Sequence, residues 1–218
     1  AKVRKGTRNA AAGPALTAQE VDLALARGGA IAHEALQDFD ILAVGEMGIG
    51  NSASAALVLH RLAPAPLDDC IGLGAGHDPE GFARKQAVLH QAAARGPVST
   101  PREVLAQFGG LEIVMMAGAI LGAAAAGKPV LVDGFIASVA ALAAIRLGPA
   151  CADYCIFAHR SAEKGHAVVL AAAGADPLLD LSMRLGEGTG ALLALPMVRA
   201  AAALLREVAS LDDVLAGR

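Results

Sequence analysis

The chain has very few aromatic residues: they make up 3 % of its 218 residues, with no tryptophan and one tyrosine. Proteins that bind single-stranded nucleic acid use aromatic side chains as platforms on which bases stack. Binding to duplex DNA or RNA requires a basic surface, whereas the formal net charge here is −3. The scarcity of aromatic side chains and of positive charge therefore argues against a nucleic-acid partner.

The chain also has no long apolar run, although 55 % of its residues are hydrophobic and its mean hydropathy is +0.51. The longest uncharged apolar stretch, residues 113–127, ends at Lys128, whereas a membrane-spanning helix needs about 20 residues. The first residues, Ala1–Lys5, are basic and lack the apolar core of a signal peptide. We therefore expect no membrane partner and a cytoplasmic location.

Cysteine is scarce as well: three residues form no disulfide framework, which is typical of a reducing compartment. Cys151 and Cys155 are predicted to be small buried side chains on a strand. His159 has no partner at the spacing of a helical zinc site, and there is no second pair of cysteines. A zinc site is therefore not expected. We also predict no cofactor.

Short apolar segments alternate with segments of helical character. Thr17 and Glu20 have the spacing of a capping box at the start of the first helix. Strands that are apolar throughout are typical of a parallel sheet covered on both sides. The pattern predicts an α/β fold, namely a three-layer Rossmann-like parallel sheet with helices on both faces. The predicted strand segments are 40–45, 71–76, 129–132 and 154–158, and the predicted helices cover about 17–37, 51–61, 79–95, 100–108, 111–126, 135–147, 163–173 and 189–208.

The chain divides into two parts of different character. Residues 1–16 are basic and show no periodicity, and they are predicted to form an arm or a severed linker. Residues 17–218 are predicted to form the α/β domain. There is no internal repeat of fixed period.

Ligands of open parallel α/β sheets bind at the carboxyl ends of the strands, and the first of these ends is rich in glycine. Gly45–Ser52 follows a strand and opens a helix, which favours an anion because backbone N–H groups and the helix N-terminus face it. Glu46 adds a carboxylate that an anion site does not need, which suggests contact with a sugar hydroxyl or a cationic ring. A plain loop is the alternative interpretation.

Three further strand ends carry candidate residues, each with an alternative structural role. Lys85, after the segment Gly72–Asp78, can reach a phosphate, or it is a solvated lysine on a helix surface. Asp133, followed by Gly134, is either a binding group or a helix N-cap. Ser161 is either a cap or a phosphate-binding hydroxyl.

The last candidate strand end places one carboxylate among glycines. In Gly186-Glu187-Gly188 the backbone can close around a ligand with Glu187 directed at it. A carboxylate in an apolar, largely desolvated pocket has a raised pKa and suits general-base catalysis. The alternative is a negative charge that stabilises a helix N-terminus.

Several common catalytic and nucleotide-binding motifs are absent. The glycines after the first strand do not follow G-x-G-x-x-G, which a dinucleotide-dependent oxidoreductase would need. Neither a G-x-S-x-G nucleophile motif nor a Walker A lysine motif is present.

Taken together, the motifs resemble the nicotinate-nucleotide:dimethylbenzimidazole phosphoribosyltransferase family of cobalamin biosynthesis. The resemblance extends over almost all of residues 1–216 in family order. It is carried by GEMGIGNSASA (45–55), FARKQAV (82–88), GGLEIVMMAGAILGAA (109–124), PVLVDGFIASVAALAA (129–144), HRSAEKGH (159–166) and MRLGEGTGALLALPMV (183–198).

The resemblance implies a homodimeric, metal-free enzyme with a Rossmann-like fold. Phosphoribose would pass from nicotinate mononucleotide to 5,6-dimethylbenzimidazole, giving α-ribazole 5′-phosphate and nicotinate. By the same resemblance Glu187 is the catalytic base and Glu46 a second acidic residue of the site. The residues that match the family's substrate-binding positions are Gly48, Lys85, Gly134, Ser161, Leu185 and Gly186.

In one respect the chain departs from the family. Family members carry an amino-terminal portion before the basic KVRKGTRN-like segment, and that portion supplies part of the benzimidazole pocket. We therefore expect the chain to lack this portion. The alternative to a complete phosphoribosyltransferase is a nucleotide-binding α/β fragment or subunit without full catalytic activity.

Overall fold

A parallel three-stranded sheet forms the centre of the computed structural model, which describes residues 2–74 and 78–217. The strands are β1 (Leu42–Val44), β2 (Val130–Val132) and β3 (Cys155–Phe157), in the order β1-β2-β3. The helices are α1 (Ala18–Ala35), α2 (Asn51–Leu62), α3 (Leu67–Cys70), α4 (Pro79–Ala93), α5 (Pro101–Phe108), α6 (Leu111–Ala125), α7 (Phe135–Leu147), α8 (His166–Ala173), α9 (Thr189–Glu207) and α10 (Leu211–Leu215), with a 3₁₀ helix at Pro149–Tyr154.

Helices cover both faces of the sheet, and the central strand shows why. Successive side chains of a strand point to opposite faces. Val130 and Val132 belong to the main apolar core, to which α6 and α7 contribute, whereas Leu131 packs in a separate cluster with Ala191 and Ala194 of α9. The predicted three-layer α/β fold is therefore confirmed.

Glycine allows two helices of the outer layer to pack with their backbones in contact. A Cβ atom at Gly28 of α1 would collide with the carbonyl oxygen of Met115, and one at Gly118 of α6 with that of Leu25. A Cβ at Gly122 would lie only 2.8 Å from the Cα of Gly29. The glycines of α1 and α6 therefore set the distance between these helices rather than forming turns.

The predicted strand over 71–76 is wrong as far as the structure describes it. Residues 71–74 form no strand and follow the one-turn helix α3, while 75–77 lie outside the described residues. The carbonyl of Gly72 accepts a hydrogen bond from Lys85 Nζ at 2.8 Å. A side chain therefore satisfies this backbone group, and a strand ladder is not required.

One other local prediction differs from the structure, and another is confirmed. Cys151 lies in the 3₁₀ helix rather than on a strand, while Cys155 is the first residue of β3. The capping box at Thr17 and Glu20 is confirmed. The segment before it, residues 2–16, contains no helix or strand, yet Ala15 and Leu16 are buried.

One described helix, α9, is long and apolar enough to cross a membrane by length and composition alone. Gly190, Ala191 and Ala194 near its start are buried. Much of its remaining apolar surface is exposed, as are the apolar side chains of α10.

Candidate active site

A cavity of about 700 Å³ opens at the carboxyl edge of the sheet. Its walls come from loops that follow the three strands and from the loop before α9. They are lined by residues of the segments 46–52, 133–137, 159–163 and 184–186, together with Gly74. The described lining thus draws on five separate parts of the chain, as expected for a ligand site of an α/β protein.

Six of the eight predicted site residues line this cavity, and the other two lie next to it. Those in the lining are Glu46, Gly48, Gly134, Ser161, Leu185 and Gly186. Lys85 is bound to lining residue Ser52, and the N–H of Glu187 donates to the carbonyl oxygen of Glu46 at 3.1 Å. The structure brings all eight together, while their roles in binding and catalysis stay predictions.

The backbone of Glu187 has a conformation that residues other than glycine rarely adopt. Its φ is +60°, and Gly186 and Gly188 beside it have φ values of +79° and +78°. Glycine adopts this left-handed region freely, whereas any other residue is strained there by about 1–2 kcal/mol. Such strain persists only where surrounding contacts impose it, and it is concentrated at functional sites.

The side chain of Glu187 is exposed, which differs from the prediction of a largely desolvated carboxylate. The reason is that the loop 186–188 lies at the edge of the cavity, with its backbone rather than its side chain packed against Glu46. A general base in this position needs a further surface over it before water is excluded.

Asp133 fixes the loop that carries Glu187. Its carboxylate, only 2 % exposed, accepts hydrogen bonds from the N–H groups of Gly190 at 2.7 Å, Ala191 at 3.1 Å and Gly188 at 3.1 Å. The N-cap interpretation of Asp133 thus holds in an altered form, because the helix that it caps is α9 and not α7, which follows it in the chain. Three N–H donors at a helix N-terminus strongly stabilise a buried carboxylate.

Glycine at two positions allows this loop to approach the sheet. A Cβ at Gly45 would collide with the backbone nitrogen of Gly188, and one at Gly190 would collide with the ring of His159. His159 is 1 % exposed, and its Nε2 lies 3.7 Å from Asp133 Oδ1. Sequence reasoning missed this role of His159, since a partner 26 residues away leaves no local pattern.

Glu46 is a half-buried carboxylate held by Asn51, whose Nδ2 donates to Oε2. Burial raises the pKa of Glu46 above its usual value, and the neighbouring charges of Glu112, Asp133 and Glu187 raise it further, against the hydrogen bond from Asn51. Glu46 therefore holds a proton at higher pH than an ordinary glutamate. Neither Asn51 nor Glu112 was among the predicted site residues.

Lys85 is not a solvated surface lysine. Its Nζ donates to Ser52 Oγ at 3.0 Å and to the carbonyl of Gly72 at 2.8 Å. Burial lowers the pKa of this ammonium group, partly offset by the charge of Glu163. The ammonium group is thus held beside the first turn of α2, where an anion would also meet the helix N-terminus.

Ser161 is positioned by a buried histidine. Its N–H donates to His166 Nδ1 at 2.6 Å, so His166 carries its proton on Nε2, which donates to Ser138 Oγ at 3.0 Å. Burial, with a smaller effect of His159, lowers the pKa of His166 to about 4. The Ser161 hydroxyl accepts from the N–H of Glu163 at 3.3 Å, so it caps a turn and not α8.

The site offers more to an anion than to a metal. The helices α2 and α7 begin in the cavity lining, and the N–H groups of a first helical turn have no partners within the helix. Within residues 2–74 and 78–217, no group of three or more His, Cys, Asp or Glu side chains is arranged to hold a metal ion. These features define a class: a parallel α/β protein with a glycine-lined cleft suited to an anionic, nucleotide-sized ligand.

Comparison with known proteins identifies the family within this class. A phosphoribosyltransferase family model matches residues 1–214, and the chain belongs to that family. A nicotinate-nucleotide--dimethylbenzimidazole phosphoribosyltransferase of Ralstonia nicotianae is 54 % identical over 212 residues, which are 96 % of this chain and 60 % of the relative. The protein of the same name from Dechloromonas aromatica is 50 % identical over 98 % of this chain and 63 % of its own length.

The fold agrees with this assignment. The crystal structure of CobT from Thermus thermophilus superposes with a TM-score of 0.90 at 43 % identity, covering 94 % of this chain and 62 % of CobT. The chain thus spans about 60 % of the length of the curated relatives and solved structures that it matches.

Proposed function

We propose that this chain carries the phosphoribosyl-transfer site of a nicotinate-nucleotide:dimethylbenzimidazole phosphoribosyltransferase. Phosphoribose would pass from nicotinate mononucleotide to 5,6-dimethylbenzimidazole in the assembly of the cobalamin nucleotide loop. The observation that carries the proposal is the grouping of all eight family-matched residues at one cavity. The names and the identity of the relatives support the choice of substrates.

In the proposed reaction the ribose C1′ changes its nitrogen partner. One nitrogen of the benzimidazole attacks C1′ while the N–H proton of the other passes to the carboxylate of Glu187. The bond from C1′ to the pyridinium nitrogen breaks, and its electron pair neutralises the ring, so nicotinate leaves without protonation. Attack from the opposite face converts the β-glycosidic bond into an α bond.

The remaining predicted residues would bind and orient the nucleotide. Lys85 and the first turn of α2 offer positive charge to the phosphate, and Gly134 opens α7 at the cavity wall. Glu46, half-buried and with a raised pKa, faces the same space and would contact the ribose or the positively charged pyridinium ring. Neither role requires a metal or a cofactor.

The exposure of Glu187 favours the alternative of a nucleotide-binding portion without full turnover. A general base works best in a site from which water is excluded. The amino-terminal portion implied by the family resemblance, or a second protein surface, would provide that cover. Residues 1–16 are proposed to be an arm beside the α/β domain 17–218, tied to it by Arg4 and Arg8, which both bind Glu20.

Two broader features complete the proposal. The protein would act as a homodimer, which the exposed apolar side chains of α9 and α10 support. It would act in the cytoplasm, which the free thiols of its three cysteines support.

The decisive experiment mixes the protein with nicotinate mononucleotide and dimethylbenzimidazole and measures nicotinate release, with a control that omits the benzimidazole. Release that depends on both substrates is the expected result. Binding of nicotinate mononucleotide by calorimetry without release would favour the nucleotide-binding alternative. Absence of both binding and release would overturn the assignment of the site.

A further inference from the structure

In the described cavity lining, carboxylates outnumber positively charged side chains. Three carboxylates, those of Glu46, Asp133 and Glu163, belong to the described lining, whereas Arg184 is its one guanidinium or ammonium group. Arg184 is exposed and has neither an ion pair nor a side-chain hydrogen bond to any residue in the described part of the chain. By contrast, most other described arginines bind a carboxylate or a backbone carbonyl, as Arg61, Arg102 and Arg160 do.

The backbone on both sides of Arg184 is fixed. The carbonyl of Met183 accepts from the N–H of Ala162 at 2.9 Å, and the N–H of Glu187 donates to the carbonyl of Glu46 at 3.1 Å. The guanidinium is therefore carried by an anchored segment at the cavity wall, without a protein partner that would hold it elsewhere. This is the arrangement of a side chain available to an anionic ligand.

Arg184 and Lys85 serve different regions of the site. Lys85 lies with Ser52 and Gly74, beside the start of α2. Arg184 is separated from Glu187 by two residues, on the segment where the proposed proton transfer takes place. A nicotinate mononucleotide carries two anionic groups, the phosphate and the ring carboxylate. The phosphate on C5′ is assigned to Lys85, so the ring on C1′, at the other end of the ribose, is expected on the side of the cavity that carries Arg184.

We propose that Arg184 binds the ring carboxylate of nicotinate mononucleotide and so selects this nucleotide over its carboxamide counterpart; this rests on the proposed function. Without Arg184, the three lining carboxylates would repel the ring carboxylate and leave a neutral carboxamide in its place unaffected. The planar guanidinium matches a carboxylate with two parallel hydrogen bonds, which a carboxamide cannot accept in the same way. Specificity of this kind arises because one charged group is left unpaired with the wrong ligand.

The test measures, by calorimetry, the affinities of the wild-type chain and of Arg184→Ala for three probes: nicotinate mononucleotide, nicotinamide mononucleotide and ribose 5-phosphate. The substitution is expected to weaken nicotinate mononucleotide binding by about 10- to 100-fold, the effect of one charge-assisted pair. Affinities for the other two probes should change less than about 3-fold, since neither carries the ring carboxylate. Arg184→Lys should recover part of the preference, because it keeps the charge but not the planar fork.

Arg102→Ala is the matched control, because Arg102 is also exposed but pairs with Asp22 outside the cavity lining. It should leave all three affinities unchanged. Equal weakening of all three probes by Arg184→Ala would assign Arg184 to the phosphate and overturn the inference. A wild-type chain that binds both nucleotides equally would overturn it while leaving the nucleotide site in place, and a chain that binds neither would overturn the proposed function as well.

Discussion

At the scale of single residues, Glu187 combines a fixed backbone with an exposed side chain. The backbone is held in a strained left-handed conformation by the carbonyl of Glu46 and by neighbouring glycines, while the carboxylate itself is exposed. A residue that only stabilised the helix N-terminus would not need this strain, because Asp133 already caps α9. The strain is consistent with a chemical role for the side chain.

Glu187→Gln tests that role with little change in shape. Glutamine keeps the size of the side chain but cannot accept the benzimidazole proton. Nicotinate release should fall by about 10²–10⁴-fold, with the affinity for nicotinate mononucleotide unchanged by calorimetry. Glu34→Gln, at an exposed position on α1, is the control. Near-normal turnover of Glu187→Gln would remove Glu187 from the mechanism.

A second residue-scale prediction concerns the pH dependence of stability. The pKa of His166 is lowered to about 4 by burial, whereas an unfolded histidine titrates near 6.5. Below pH 6.5 the unfolded state therefore takes up a proton that the folded state does not, and the free energy of unfolding falls as pH falls towards 4. Between pH 7 and pH 5 this loss is roughly 2 kcal/mol.

Urea unfolding at pH 7 and pH 5 measures this effect. His166→Gln should lose about 2 kcal/mol less than the wild type over that interval, whatever its stability at pH 7. His90→Gln is the control, since His90 is exposed and pairs only with Asp68. The same pH dependence in His166→Gln and in the wild type would show that His166 does not contribute.

At the scale of secondary-structure elements, Asp133 joins the end of β2 to the start of α9. The three N–H groups that donate hydrogen bonds to it belong to the turn that follows Glu187. The orientation of the Glu187 loop thus depends on a carboxylate more than 50 residues earlier in the chain. Repulsion between this carboxylate and Glu46 also contributes to the raised pKa of Glu46.

Asp133→Asn should loosen this connection. An asparagine offers one acceptor oxygen in place of two, so at least one of the three N–H groups loses its partner, at a cost of about 1–3 kcal/mol. We expect faster amide exchange at Gly188, Gly190 and Ala191, together with lower nicotinate release. Asp40→Asn, which removes only the exposed ion pair with Lys128, should change neither. Unaltered amide protection at these positions would show that Asp133 does not hold the loop.

The same elements show how far sequence reasoning reached. The alternation of strands and helices, the capping box at Thr17 and the parallel sheet were predictable, because each follows from local pattern. The long-range contacts were not, since nothing near Asp133 in sequence indicates α9, and nothing near His159 indicates Gly190. The segment at Ile71 was mistaken for a strand because Ile71 is buried without a ladder, with Lys85 bound to the Gly72 carbonyl.

At the scale of the whole molecule, the carboxy-terminal helices leave an unusual amount of apolar surface uncovered. Exposed side chains on α9, α10 and the link between them include Leu192, Leu193, Met197, Leu204, Leu205, Val208, Leu211, Val214 and Leu215. Contiguous apolar patches on soluble proteins mark interaction sites. The proposed homodimer would cover this surface.

Light scattering coupled to size-exclusion chromatography tests the proposed dimer. We expect a mass of about twice the 21.8 kDa of one chain at micromolar concentration. Leu205→Glu, at a position 89 % exposed, should shift the protein to the monomer, because the dimer would bury an unpaired charge. Leu23→Glu on α1, 42 % exposed, is the matched control and should remain dimeric. A monomer at every concentration would exclude a self-associating surface, and a dimer unaffected by Leu205→Glu would place the interface on another face.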